Sequence, residues 1–317
     1  MNTFTNQEIK DLFDGKFVSA VLPYNTFNEN SDLIKERQGR LSISGAQEKY
    51  GFIEDNGILR LTLPGEHARY IVKPAPYDRR FLYKSDMPAN EAITMRIARD
   101  IYKIPVASHG LCFLSNGESV YITKRFDYSP DGKKYKMEDF ASVAKLSKST
   151  HGDDYKYTAL SYEDCAQIII DYCPAASVEL LKFFRQIIFN YLFSNGDAHL
   201  KNFSLIEYEE GDIRLSPAYD LLDTNLHISS SIFALEKGLF KEGTPIIDTT
   251  PIGRPLLEKF GLRIGIKQKI VNRELDFFAG DYPEVFTIIE NSILSADAKR
   301  SYTLDYKYRL STLRKHE

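Results

Sequence analysis

Cysteine is scarce in this 317-residue chain. Cys112, Cys165 and Cys173 are the only three, they form no CxxC pair, and an odd number cannot all pair within the chain. That excludes a disulfide scaffold. With no apolar leader in Met1 to Lys16, it points to a reducing, cytoplasmic setting in which thiols fill core space. Long apolar runs are missing as well. The strongest candidate, Val178 to Phe193, is interrupted by Glu179, Lys182 and Arg185, and its apolar residues recur at helical spacing. It reads as a buried amphipathic helix and not as a membrane span. Nor is there an excess of positive charge. Forty-one Lys and Arg against 44 Asp and Glu leave a net charge of −3, which makes a poor stand-alone nucleic-acid binder and leaves room for a local patch. Internal repeats and low-complexity segments are absent. What remains is an ordinary globular composition, 43% hydrophobic and 27% charged, in a chain long enough for about two domains.

The first half is strand-rich with one helix. Leu41 to Ser44, Tyr50 to Glu54, Leu59 to Leu63, Arg69 to Lys73 and Ser119 to Phe126 read as strands, with a turn at Pro64-Gly65. The helix runs from about Pro88 to Tyr102, capped by Ser85 or Asp86, with Ile93, Ile97 and Ile101 along one face. Pro130-Asp131-Gly132 marks a turn, and a boundary near residue 130 divides the chain into 1–130 and 131–317. Beyond it the pattern becomes helical. Ser161 and Asp164 form a capping box, and Ser177 is the natural N-cap of the following helix, which stops at Asn195-Gly196, a pair suited to positive φ. Residues 145–158 read as a polar loop.

The stretch from Asn195 to Asp220 carries the chemistry. A loop holding Asp197 and, five residues on, Asn202 leads into a strand, Phe203 to Ile206. A turn and a returning strand, Ile213 to Leu215, are followed by Asp220. A hairpin brings its open ends together, so Asn202 and Asp220 are predicted to be neighbours. Phosphoryl transfer needs such a set: one carboxylate for the acceptor proton, and oxygen donors for Mg²⁺ on the nucleotide phosphates. Lys73, ending an apolar strand, is the candidate phosphate-binding lysine, and Glu91 its candidate partner. Read alone, each has a plain alternative. Asp197 suits a helix-terminal turn, and Glu91 suits a helix N-terminus. No G-x-G-x-x-G loop is present; Leu41 to Lys49, with Gly45, occupies that place.

Four motifs together resemble the HipA family of serine/threonine kinases: Leu41-Ser-Ile-Ser-Gly-Ala-Gln-Glu-Lys49, Thr123-Lys-Arg-Phe-Asp127, Asn195-Gly-Asp-Ala-His-Leu-Lys-Asn-Phe-Ser204 and Pro217-Ala-Tyr-Asp220. The family comprises toxins of bacterial toxin–antitoxin modules. The resemblance implies a two-lobed α+β protein-kinase-like fold, with a strand-rich first lobe and a mostly helical second one. It implies ATP and Mg²⁺ as cofactors. It gives Asp197 as catalytic base, Asn202 and Asp220 as metal ligands, and Ser44, Gly45, Ala46, Gln47, Lys73, Lys124, Phe126 and His199 as further ATP-site residues. Lys124 stands where HipA has an acidic residue, and His199 has a structural alternative within its own loop. The early first motif and the Ser42-Ile43-Ser44 pair make the chain most similar to the shorter HipT kinases. Those work with separate HipS and HipB proteins, HipB being the DNA-binding partner, so contact with DNA is expected only indirectly. The resemblance further implies an aminoacyl-tRNA synthetase as target, tryptophanyl by the HipT likeness. Ser42 and Ser44 are expected to be autophosphorylated, adding about −1.5 to −2 charge each beside the ATP phosphates and switching the enzyme off. A small-molecule or lipid kinase and a catalytically inactive nucleotide-binding module are the alternatives. The basic stretch Arg300 to Lys315, interleaved with tyrosines, reads as a solvated terminal element or, less simply, as a tRNA contact.

Overall fold

The computed structural model of the chain describes residues 4–27, 47–229, 231–244 and 252–314. The expected strand at 41–44 lies outside them. Five strands, β1 (Tyr50–Asp55), β2 (Ile58–Leu61), β3 (Tyr70–Lys73), β4 (His109–Phe113) and β5 (Ser119–Lys124), form an antiparallel sheet in the order β2-β1-β3-β5-β4. Alternation along a strand decides what each face meets. Tyr70, Val72, Val120 and Ile122 point to one side, where they pack with Phe52, Leu59, Cys112 and the N-terminal residues Leu12, Phe13, Val18 and Leu22. Lys73 and Tyr121, directly opposite each other in register, therefore belong to the other side. That side is covered by the Met87–Asp100 helix.

The helix forms where the isoleucine spacing places it, with Pro88 in its first turn. Asp86 stands at the N-cap position but makes no capping bond. Its carboxylate instead accepts from the backbone N–H and hydroxyl of Ser295, both at 2.7 Å. Three polar side chains of this helix are buried, Asn90, Glu91 and Thr94. Asn90 exchanges two hydrogen bonds with the backbone of Asp223 (2.8 and 3.0 Å), and the Thr94 hydroxyl meets that of Tyr302 at 2.7 Å. The helix thus joins the sheet to the rest of the molecule.

A second antiparallel sheet, in the order β6-β7-β8, consists of Lys136–Asp139, Ser204–Glu207 and Ile213–Leu215. Around it lie the helices Tyr162–Tyr172, Ala176–Leu192, Arg254–Arg263, Gln268–Phe278, Pro283–Glu290 and Ala296–Arg314. The Ser161 capping box forms as expected, with Asp164 N–H donating to Ser161 and Ser161 N–H donating to Asp164. The next helix begins one residue before Ser177, which sits in its first turn and not at the N-cap. Its end also differs from expectation. The left-handed residue is Ser194 (φ 50°), which leaves Asn195 for the task described below. The C-terminal basic stretch lies in a helix whose Tyr302, Tyr306, Leu310 and Leu313 are buried, while Tyr308 on its other side is exposed. Among the described residues no helix is long and apolar enough to cross a membrane.

His109 in β4 is 3% exposed, its ring parallel to Tyr121 and its Nδ1 2.9 Å from the Ala107 carbonyl. Burial pushes its pKa down to about 4. Below about pH 6.5 the unfolded chain protonates this imidazole while the folded one does not, so stability is complete above that pH and is lost as pH falls toward 4. Urea unfolding at pH 7 and pH 5 is expected to differ by about 2 kcal/mol on account of this residue. An NMR titration that finds the His109 imidazolium in the folded protein near pH 6.5 would remove the effect.

Candidate active site

The Lys73 ammonium, 3% exposed, is the centre of a buried charge cluster. It donates to Glu91 Oε1 at 2.6 Å and to Asp220 Oδ1, and lies 5.2 Å from the Tyr121 ring centroid. The pairing of Lys73 with Glu91 expected from the sequence is present. Burial alone depresses the Lys73 pKa, but Asp220 and Glu91 outweigh it and hold the amine charged. Burial raises Glu91, with Lys73 opposing. Asp220 is the reverse case: burial raises it, yet Lys49 and Lys73 bring its carboxyl well below the ordinary range.

Asp220 follows β8 with φ 56°, a left-handed conformation uncommon for a non-glycine residue. The hairpin does what its spacing predicts, because Asn202 Nδ2 donates to Asp220 Oδ2 at 3.0 Å. Asn202 Oδ1 in turn accepts from His199 N–H at 3.1 Å, and His199 Nδ1 accepts from Lys201 N–H at 3.3 Å. The loop between them is tightened into a one-turn 3₁₀ helix, Leu200–Asn202. Burial lowers the His199 pKa to about 4, so the ring is neutral at pH 7. Lys201 Nζ is tied to Asp139 at 3.0 Å, and the Tyr219 hydroxyl donates to the Lys201 carbonyl at 2.8 Å.

Asp197 is exposed, in the same loop. Asn195 fastens this loop to the rest of the site. Its Nδ2 donates to Asn190 Oδ1 (3.0 Å) and to the Asp220 carbonyl (3.3 Å), while its Oδ1 accepts from Asp197 N–H (3.3 Å). Gly196 N–H donates to Thr224 Oγ1 at 2.8 Å. The candidates at 73, 91, 197, 199, 202 and 220 are therefore linked through one hydrogen-bonded assembly. Gln47 joins its edge, with Nε2 donating to the Pro74 carbonyl at 2.8 Å, next to Lys73. Lys124 sends its ammonium to Asp14 at 2.8 Å while its N–H donates to the Ser108 carbonyl at 2.8 Å. The Phe126 ring tilts against Tyr219 at 5.5 Å. Ser42, Ser44, Gly45 and Ala46 lie outside the described residues.

Three participants were not singled out in the sequence. Lys49, the last residue of the first motif, reaches Asp220 Oδ2 at 3.4 Å. Asn195 opens the third motif, but its local signal is that of a turn residue. Tyr157, inside the expected polar loop, donates its hydroxyl to Asp197 Oδ1 at 2.7 Å. That loop in fact holds two short helices, Lys148–His151 and Tyr155–Thr158. Motif membership marked Lys49, but nothing local marks Tyr157.

The donor set suits a hard cation. Asn202 and Asp220 carry oxygen donors of the class that Mg²⁺ takes, although here Asn202 turns its amide nitrogen to the carboxylate and its oxygen to His199 N–H, and the carboxylate already attracts two ammonium groups. Among the described residues there is no group of three or more His, Cys, Asp or Glu able to hold a metal by themselves. Such a pair would therefore need further oxygens from a bound nucleotide.

Comparison with known proteins agrees with this arrangement. A putative kinase of Haemophilus influenzae is 26% identical over 299 residues, covering 87% of this chain and 82% of that one. The putative kinase Y4dM of Sinorhizobium fredii is 32% identical over 200 residues, 58% of this chain but only 45% of its own length. Among solved structures, HipA of Shewanella oneidensis, determined in complex with HipB and its operator DNA, superposes with a TM-score of 0.64 at 21% identity. The match covers 86% of this chain and 64% of that HipA chain. The Helicobacter pylori proinflammatory kinase CtkA gives 0.56 at 14% identity, over 94% and 95% of the two chains. The architecture is accordingly the two-lobed α+β kinase-like fold. The model of the HipA-like C-terminal domain matches residues 41–276, a span containing Lys49, Lys73, Glu91, Tyr157, Asp197, Asn202 and Asp220, and by that match the chain belongs to the HipA-like C-terminal domain family.

Proposed function

We propose that this chain is a serine/threonine protein kinase that moves the γ-phosphate of ATP to a hydroxyl of a protein, acting as the cytoplasmic toxin of a toxin–antitoxin module. The observation that carries this reading is the meeting of Lys73, Asp220 and Asn202 in one cluster, with Asp197 held beside it on the loop that Asn195 ties to Asp220. In this reading Lys73, kept charged and fixed by Glu91, binds the nucleotide phosphates. Asn202 and Asp220 hold Mg²⁺, which when bound neutralises charge on the phosphates. Asp197, exposed to an incoming acceptor, takes the hydroxyl proton as the acceptor oxygen bonds to the γ-phosphorus and ADP departs. His199, neutral at pH 7, supports the loop through Asn202 and Lys201 without adding charge. Lys124 to Phe126 supply the adenine-facing hinge, and the first motif, Ser44 to Gln47, contributes backbone donors for the phosphates.

The finer features follow the HipT likeness of the first motif. The target is an aminoacyl-tRNA synthetase, tryptophanyl in preference, and phosphorylation of Ser42 or Ser44 repels nucleotide. The neutralising partners resemble HipS and HipB, and any DNA contact runs through the HipB-like one. The HipA neighbour is itself a complex with HipB and operator DNA.

Labelled ATP added with the purified protein to a bacterial lysate tests the reading. A labelled protein band, absent with Asp197→Asn and mapped by phosphopeptide mass spectrometry to a synthetase serine, is the expected result. A labelled small molecule would reassign the substrate class, and no label at all would leave only nucleotide binding. Replacing Ser42 and Ser44 by Ala is expected to raise sustained activity, with phosphomimetic forms weakening ATP binding. Equal affinities in the two sets would refute the inhibitory role.

A further inference from the structure

The one-turn helix Tyr155–Thr158 ends against the candidate active site. It is anchored on its far side, where Glu236 N–H donates to the Tyr157 carbonyl at 3.0 Å and Lys237 Nζ reaches the Ala159 carbonyl at 3.1 Å. On its near side the Tyr157 hydroxyl donates to Asp197 Oδ1 at 2.7 Å, and its ring meets that of His199 edge-on at 5.1 Å. Among the described residues no side-chain donor other than Tyr157 reaches the Asp197 carboxylate, and its Oδ2 accepts no hydrogen bond. An exposed carboxylate without such a bond samples several rotamers, so a single directed donor determines which oxygen faces outward.

We propose that Tyr157 is a positioning residue for phosphoryl transfer: its hydroxyl holds Asp197 Oδ1 so that Oδ2 is presented to the acceptor hydroxyl. This inference rests on the kinase reading above and adds to it a group from outside the four motifs. The neighbouring Lys156 ammonium lies 4.9 Å from the Tyr157 ring centroid, and burial lowers its pKa while Asp197 opposes. It contributes positive charge beside the carboxylate. The same contact admits an opposite use, a lid that occupies the acceptor position. Two observations favour positioning: only one carboxylate oxygen is engaged, and the segment bearing Tyr157 is bonded to residues 236 and 237.

Tyr157→Phe removes the hydroxyl and keeps the ring against His199. ADP release from Mg·ATP, with dephosphorylated casein as acceptor, supplies kcat and the KM for ATP. The expected result is a kcat lowered about tenfold, with the KM for ATP changed by less than about twofold. Added to Asp197→Asn, the same substitution is expected to cost less than about twofold more, since its effect passes through that carboxylate. A merely structural role would instead multiply the two losses or shift the KM, and either result overturns the inference. So does a kcat for Tyr157→Phe that is unchanged or higher, the latter being the mark of a lid. A wild-type protein that releases no more ADP than Asp197→Asn overturns the kinase reading itself, and the inference with it.

Discussion

Exchanging Asp197 for Asn is expected to lower phosphoryl transfer by about 10²- to 10⁴-fold, the usual worth of a positioned general base. The amide keeps the shape of the side chain and can still accept from Tyr157 through its oxygen, but it cannot take up the acceptor proton. Asp197 is exposed, and its own N–H bond to Asn195 is a backbone contact that the substitution leaves alone. Thermal unfolding should therefore be almost unchanged, and ATP binding measured by calorimetry should persist. A variant retaining more than a tenth of wild-type transfer to protein would show that another group accepts the proton.

Lys73→Met is expected to lower stability by about 3–5 kcal/mol, read by denaturant unfolding at pH 7. The methionine fills a similar volume against Tyr121, so the cost is electrostatic and not a cavity. Glu91 is 1% exposed and, among the described residues, accepts its one ion pair from this lysine, while Asp220 keeps Lys49. Without the ammonium, Glu91 is a buried anion with no ion-pair partner among the described residues, and only the more distant Lys49 opposes its burial. Burial already raises its pKa in the intact cluster, and removing Lys73 raises it further above the unfolded value. The sign follows: the neutral carboxyl is tolerated at low pH, and stability is lost as pH rises past the unfolded pKa. The deficit of Lys73→Met relative to wild type should thus shrink from pH 7 toward pH 5, and adding Glu91→Gln should recover part of it. A deficit that does not vary with pH would place the loss in packing. Phosphate binding should fail in Lys73→Met irrespective of stability, readable as lost ATP affinity at a temperature where the variant stays folded.

The features legible in the sequence were those with a local cause. The isoleucine spacing and Pro88 place the Met87–Asp100 helix, the Ser161–Asp164 pair caps its own helix, and the hairpin geometry puts Asn202 beside Asp220. The features that depart from local expectation have distant causes. Asp86 has the chemistry of a cap, but Ser295, far away in the chain, competes successfully for its carboxylate. Ser194 adopts the left-handed conformation expected of Asn195-Gly196, because the Asn195 side chain is engaged by Asn190 and Asp220. Residues 145–158 have loop composition, yet Tyr155–Thr158 docks on residues 236 and 237 and becomes a helical turn, while Lys148–His151 is tied locally by Ser147 and Thr150.

The sequence by itself determined the order of the chemical groups: a lysine ending a strand, a glutamate on the next helix, and an aspartate, an asparagine and a second aspartate spread around a hairpin. These follow from periodicity and turn chemistry, which act over a few residues. Only the tertiary structure decided that Lys73 bridges Glu91 and Asp220, that Lys49 faces the same carboxylate, and that Tyr157 grips Asp197. The physical reason is range. A charge cluster at the junction of two packed units depends on strand register and on the burial of an entire sheet face, and neither is set until distant segments have packed.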